Sequence, residues 1–212
     1  MIEQDYILLV MNCQKYANKA EIQRSTWLKT LPSYIKYYHV IGDINLSCKY
    51  KFDNENNKLW INVEDDYNSL PKKVIRAYEA INDTFDYKYL FKTDDDQMMI
   101  ETNFFKLIKN TTTSTPKKHY GGFVVNITCD YISDYYKMHP ELPKDLVVKK
   151  TQYCSGRFYF LSRQAIEYLI YKKELIEKEY FEDYAIGLHL ASYYKENIVN
   201  INTNDYLSDM IL

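Results

Sequence analysis

The chain has 212 residues, of which 46% are apolar, 26% charged and 16% aromatic, with a formal net charge of -2. Five Gly and five Pro are too few for a collagen-like or linker-dominated chain, and the apolar share is too high for disorder. The near-neutral balance also argues against a general nucleic-acid binder, because Lys72-Lys73, Lys117-Lys118, Lys149-Lys150 and Lys172-Lys173 are scattered and interleaved with acids.

In chain order, the first element is the apolar run Tyr6–Met11, a strand candidate too short for a membrane span or a signal-peptide core. A helix is expected over Lys19–Leu31, ended by Pro32, then strands at Tyr34–Ile41 and Leu59–Val63. Ser69–Asn82 reads as a helix with Pro71 in its first turn and Val74, Ile75, Tyr78 and Ile81 on one face. Strand Tyr87–Lys92, helix Thr102–Lys109 and strand Tyr120–Asn126 follow. Thr128–Tyr153, interrupted by Pro140 and Pro143, is expected to be a long surface loop or lid. Strand Phe158–Leu161 and helices Arg163–Lys173 and Asp183–Tyr194 close the series. This alternation predicts an α/β layered fold, and the absence of a linker or repeat makes residues 1–212 one domain.

The four cysteines, Cys13, Cys48, Cys129 and Cys154, show no CxxC spacing and accompany no export signal, so free thiols are expected. The same absence makes the sequons at Asn45, Asn82, Asn110 and Asn126 uninformative. No run of about 18 apolar residues exists, so a soluble cytoplasmic chain without a membrane span is expected.

Three constellations carry chemistry. Tyr89-Leu90-Phe91-Lys92-Thr93 runs straight into Asp94-Asp95-Asp96, which places three carboxylates at a strand end, where ligands gather in open α/β sheets. Adjacent acids repel unless a cation offsets them, which points to Mg2+ or Mn2+; a solvated acidic turn is the alternative. Glu182-Asp183 stands at a helix start, where acids complement the macrodipole or serve catalysis. Tyr153-Cys154-Ser155-Gly156 reads as a tight Gly turn leading into the aromatic strand Phe158–Leu161. Cys154 and Ser155 invite a nucleophile hypothesis, but no His stands at fixed spacing. His39, His119, His139 and His189 show no zinc spacing, and neither GxGxxG nor GxxxxGK[ST] occurs.

Taken in order, these pieces resemble glycosyltransferase family 31, the β-1,3-galactosyltransferase, β-1,3-N-acetylglucosaminyltransferase and Fringe-like enzymes. The elements that carry the resemblance are Arg24-Ser25-Thr26-Trp27, Asp65 through Lys73, Lys92 through Asp96, Gly121-Gly122-Phe123, Tyr153 through Ser162 and Glu182 through Gly187. The resemblance implies a GT-A fold, a Rossmann-like nucleotide-sugar-binding sandwich with a mostly parallel sheet. It also implies inverting transfer of a galactosyl or N-acetylhexosaminyl group from a UDP-sugar to a glycan acceptor in a β-1,3-type bond. It assigns the base to Asp183, with Glu182 its neighbour. Metal, Mn2+ or Mg2+, falls to Asp96 and Asp94, with Asp94 and Asp95 also toward ribose and base. Arg24 and Lys73 would hold nucleotide or diphosphate, and Tyr153, Gly156 and Arg157 would line the donor and acceptor cleft.

The chain departs from the family pattern in three ways. It starts almost at the first catalytic strand, which suggests an anchorless enzyme as in viral relatives. Arg157 stands where a small residue is usual, and no His follows His189, which leaves two expectations for the metal shell: Asp205 or Asn204 substitutes, or the tail supplies no ligand and water completes the shell. Two other readings compete: a non-catalytic nucleotide-sugar or glycan binding module on the same fold, and a Mg2+-dependent phosphotransferase, whose small-residue turn Asp94 lacks.

Overall fold

The computed structural model describes residues 1–210. An eight-stranded sheet is built from β1 (Tyr6–Met11), β2 (Ile35–Gly42), β3 (Tyr50–Asp53), β4 (Lys58–Ile61), β5 (Tyr89–Asp94), β7 (Tyr120–Ile127), β8 (Thr151–Ser162) and β9 (Val199–Asn200). Two further strands, β6 (Gln97–Met99) and β10 (Leu207–Asp209), pair with each other antiparallel beside it. The spatial order of the large sheet is β9-β7-β8-β5-β1-β2-β4-β3. β5, β1, β2 and β4 run parallel, whereas β8 is antiparallel to both of its neighbours.

β1 is buried along its whole length, which is why it reads as an unbroken apolar run rather than an alternation. Its side chains leave on two faces. Ile7, Leu9 and Met11 join a core with α2 (Leu70–Thr84), α4 (Arg163–Tyr171) and α6 (Glu182–His189). Tyr6, Leu8 and Val10 join a second core with Trp27 and Phe104, Phe105 and Ile108 of α3 (Phe104–Thr113). These are the three layers of an α/β sandwich.

Several boundaries differ from the sequence reading. α1 covers only Ala17–Ser25, because Thr26 leaves the helical region and its hydroxyl donates back to Ile22 O at 2.6 Å. Trp27 is thereby turned into the core, where its indole N–H donates to Gln97 O at 3.2 Å. The helix expected over Asp183–Tyr194 ends at His189, with Leu190 and Ala191 extended before the short Ser192–Lys195 turn. Lys195 Nζ donates to Gly187 O at 2.8 Å and so caps a free carbonyl of α6. Gly156 is not in a tight turn: it sits inside β8, where pairing to β7 shifts register between Cys154 and Tyr159. The hairpin strand β3 escapes periodicity because its side chains are all partly or fully exposed.

The stretch Thr128–Tyr153 forms a strap with little regular structure, pinned by a two-residue pairing of Tyr131–Ile132 with Val147–Val148. Its last residues belong to β8. All four cysteines are free, and among the described residues no helix is long and apolar enough to cross a membrane.

Candidate active site

The carboxyl ends of β1 and β5, the middle of β8 and the start of α6 enclose a cleft of about 980 Å³. Lys73, Asp94, Asp95, Asp96, Tyr153, Gly156, Glu182 and Asp183 all face it. Sequence elements more than a hundred residues apart therefore converge. Arg24 and Arg157 do not reach it. Arg24 forms an i,i+3 pair with Glu21 at 2.8 Å on α1. Arg157 extends along the C-terminal segment, donating to Asn204 Oδ1 at 2.7 Å and Asp209 Oδ1 at 2.6 Å.

The organising group is one that the motif includes and to which the sequence reading gave no role. Lys92 is fully buried within β5, and its ammonium uses all three donors: Asp94 Oδ1 at 2.7 Å, Glu182 Oε2 at 2.7 Å and Gly156 O at 3.0 Å. A lysine is almost never buried unless paired, so its presence in an otherwise apolar strand was the available signal. Burial alone pulls its proton affinity down, but Asp94 and Glu182 outweigh it and hold the ammonium charged. Glu182 is locked from the other side by Tyr159, whose hydroxyl donates to Oε1 and also meets Tyr78 at 2.6 Å.

Asp183 differs from Glu182 in being held by backbone alone. Gly156 N donates to its Oδ2 at 2.9 Å and Tyr184 N to its Oδ1 at 2.7 Å. Burial raises its proton affinity above the ordinary carboxylate range, although Lys92 and the two N–H donors oppose the shift. Gly156 keeps this space open: a Cβ would stand 3.0 Å from Lys92 Nζ, 3.2 Å from Asp94 Oδ2 and 3.6 Å from Asp183 Oδ2 and would crowd the ion pair. A carboxylate of the acidic triplet and the carboxylate of α6 thus face one shared point over a bare backbone.

The triplet is not uniform. Asp94 is paired with Lys92, and burial still lifts it to about 6. Asp95 is paired with Lys19 at 3.2 Å, accepts from Asn12 Nδ2 at 3.2 Å, and is lifted by burial to about 6. Asp96 alone has no cationic partner among the described residues; Gln97 Nε2 donates to it at 2.8 Å. That uncompensated carboxylate, in a cleft of hard oxygen donors, suits a divalent cation. Among the described residues no group of three His, Cys, Asp or Glu side chains is arranged to hold a metal ion.

Next to this end of the cleft, Asp65 gathers Gly42 N at 2.8 Å, Gln14 N at 2.7 Å and Lys73 Nζ at 2.7 Å, and Lys73 also donates to Asn12 O at 2.8 Å. Lys73 therefore lines the cleft as part of a loop-ordering pair. At the opposite end the strap folds over, and His139 is stacked between Tyr67 at 4.4 Å and Tyr135 at 4.9 Å, with the Phe181 ring 5.5 Å from Tyr135. Tyr67 belongs to the Asp65-to-Lys73 element, but the stack itself had no sequence signal, since it joins three separate loops.

The two tail residues have partners within the chain. Asn204 Oδ1 is taken by Arg157, and Asp205 Oδ1 accepts from Asn202 Nδ2 at 2.9 Å. Cys154 is buried, which pushes its thiol up and leaves it no nucleophile.

Residues 18–200 match the family model described as galactosyltransferase. Among curated proteins, the chain is 27% identical over 139 residues to UDP-GalNAc:beta-1,3-N-acetylgalactosaminyltransferase 1 of Homo sapiens, covering 65% of this chain and 40% of that protein. It is 20% identical over 137 residues to UDP-GalNAc:beta-1,3-N-acetylgalactosaminyltransferase 2 of Xenopus laevis, covering 63% of this chain and 26% of that protein. The aligned part is well under half the length of either relative. Among solved structures, the glycosyltransferase GlyE of Streptococcus pneumoniae TIGR4 superposes with a TM-score of 0.50 at 11% identity, covering 96% of this chain and 46% of that one. That likeness concerns the fold, which is the GT-A fold. With a family match spanning most of its length and a cleft at the strand ends where that fold gathers ligands, the chain belongs to the galactosyltransferase family.

Proposed function

We propose that the protein is an inverting glycosyltransferase that moves a galactosyl or N-acetylhexosaminyl group from a UDP-sugar to a glycan hydroxyl in a β-1,3-type bond. The observation that carries this reading is the meeting of Asp94 and Asp183 over Gly156. Asp94 Oδ2 and Asp183 Oδ2 both border the open space above Gly156, with the Lys92 ammonium beside them; one carboxylate belongs to the triplet and the other to α6. Single displacement needs one base on the acceptor side, and Asp183 is the carboxylate there with no cation bonded to it.

In this reading the donor's diphosphate lies along Asp94–Asp96, with Asn12, Lys19 and Asp95 toward ribose and base. Mn2+ or Mg2+ held by Asp96, with Asp94 beside it, would neutralise charge on the leaving diphosphate. Lys92 keeps Asp94 and Glu182 in place, and the Gly156 amide keeps Asp183 oriented. As the acceptor oxygen attacks the anomeric carbon, its proton passes to Asp183, whose lifted proton affinity suits that transfer. Tyr153 and the stacked rings of the strap shut water from the acceptor end. The names of the aligned relatives support a β-1,3 linkage and an N-acetylgalactosaminyl donor as the first choice to assay.

The test is UDP release from UDP-N-acetylgalactosamine, UDP-galactose and UDP-N-acetylglucosamine, each with Mn2+ and a panel of β-galactosides and N-acetylhexosaminides. Acceptor-stimulated, metal-dependent release from one donor is expected. Failure of the wild type to bind UDP in the presence of Mn2+ would contradict the reading.

A further inference from the structure

Four rings join three separate parts of the chain across the cleft. Tyr67 stacks on His139 at 4.4 Å with 13° between the planes, His139 stacks on Tyr135 at 4.9 Å, and Tyr135 meets Phe181 edge-on at 5.5 Å. Phe181 is the residue just before α6, so the row runs from the loop ahead of α2 to the neighbour of Glu182 and Asp183. All four rings line the cleft that Asp183 faces.

The first ring and the middle of the row are held by different means. Tyr67 stands in a turn that its neighbours fix: Asp65 gathers Gly42 N, Gln14 N and Lys73 Nζ, Asp66 Oδ1 accepts from Ser69 N at 2.8 Å, and Tyr67 O accepts from Leu70 N at 3.2 Å. None of these bonds uses the Tyr67 side chain, so the ring is free to serve as a contact surface. The strap over residues 134–142 is instead closed on itself. Lys137 N donates to Asp134 O, His139 N to Tyr135 O and Leu142 N to His139 O, while the side chains of Lys137 and His139 pair with Asp134 and Glu141. Ring contacts and the burial of Leu142 tie this turn to the rest of the fold. Farther along, the Tyr131–Ile132 pairing and Lys149 N, which donates to the Tyr184 hydroxyl at 2.8 Å, anchor the base of the strap. A segment bonded within itself and anchored at its base opens and closes as a unit about that base.

We propose that Tyr67 is a positioning residue for the acceptor step, its ring being the fixed post on which the turn 134–142 seats across the cleft. The proposal rests on the acceptor-end reading above. Tyr67 acts through His139, and the ring rather than the hydroxyl carries the role.

The first readout needs no turnover: trypsin cleavage after Lys137, an exposed residue of the turn, located by mass spectrometry in the full chain. Tyr67→Ala is expected to speed this cut by roughly 3- to 10-fold, the range that loss of one ring stack supports, whereas Tyr67→Phe is cut like the wild type. The second readout is acceptor KM, expected to rise several-fold in Tyr67→Ala with UDP affinity unchanged and to return to the wild-type value in Tyr67→Phe. Because Tyr67 and His139 form one contact, Tyr67→Ala combined with His139→Ala should raise KM no further than either alone. Effects that add, a Tyr67→Phe that behaves like Tyr67→Ala, or a cut after Lys137 that Tyr67→Ala leaves at the wild-type rate overturn the proposal. A wild type that transfers no sugar contradicts the function itself and takes the acceptor role with it, and the trypsin result tells that failure from a failure of the strap contact alone.

Discussion

The two ends of the cleft are assembled from different materials. At the end proposed for the nucleotide, charges are matched in fixed pairs, Lys92 with Asp94, Lys19 with Asp95 and Lys73 with Asp65, which tie strands and helices of the sandwich to the turns beside them. At the end proposed for the acceptor, His139 of the strap stacks between Tyr67 and Tyr135, and Asp183 is held only by backbone N–H groups. On the proposed function, the paired charges would fix a charged donor while loops would shape the surface that selects the acceptor. Asp183 sits at the seam.

Breaking the acceptor end alone gives the largest effect. Asp183→Asn is expected to lower turnover by roughly 10^2–10^4 while UDP affinity and melting temperature hold, as kinetics, calorimetry and thermal melts together will show. Because burial raises the Asp183 pKa and the base must be ionised, wild-type turnover should fall on its acid side at a pH above the ordinary carboxylate range of about 4.

Breaking the nucleotide end at Lys92 strikes both ends. Lys92→Met leaves Asp94 and Glu182 buried without their cation, so a stability loss of about 3–5 kcal/mol is expected in urea denaturation. A loss below about 1 kcal/mol would show that the network does not depend on the ammonium.

Asp95 tests the cost of packing acids at the nucleotide end. Its folded pKa of about 6 lies above the unfolded value, so its contribution favours folding at low pH and is lost as pH rises from about 4 through about 6. Asp95→Asn is therefore expected to stabilise the chain at pH 7 by on the order of 1–2 kcal/mol after losing the Lys19 pair, and to give no gain at pH 4. Urea melts at the two pH values check the sign.

The smallest effect sharpens the comparison at the strap. Tyr135→Ala removes one side of the His139 stack, worth about 0.5–1.5 kcal/mol beyond burial, so acceptor KM should rise several-fold with UDP affinity unchanged. A change in UDP affinity would show that the strap serves both ends.

The same division governs what the sequence reveals. β1, β2 and β5 are buried on both faces, and their apolar runs are legible without tertiary information. The acidic triplet is legible because it ends such a run, and Glu182-Asp183 because it begins a helix. Arg24 and Arg157 matched a pattern of residues, yet their side chains pair with Glu21 and with the C-terminal segment, choices set by neighbours far along the chain or on the next helical turn. The His139 stack and the placement of Asp209 opposite Gln97 depend on loop paths and strand pairing, which no local period encodes.

The anomeric configuration of the product tests the central claim most directly. With an α-linked UDP-sugar, Mn2+ and an accepting glycoside, proton NMR of the new linkage should show the β anomer, absent when Asp183 is replaced by Asn. An α-linked product, or a β product formed undiminished by Asp183→Asn, would contradict a single displacement with Asp183 as base.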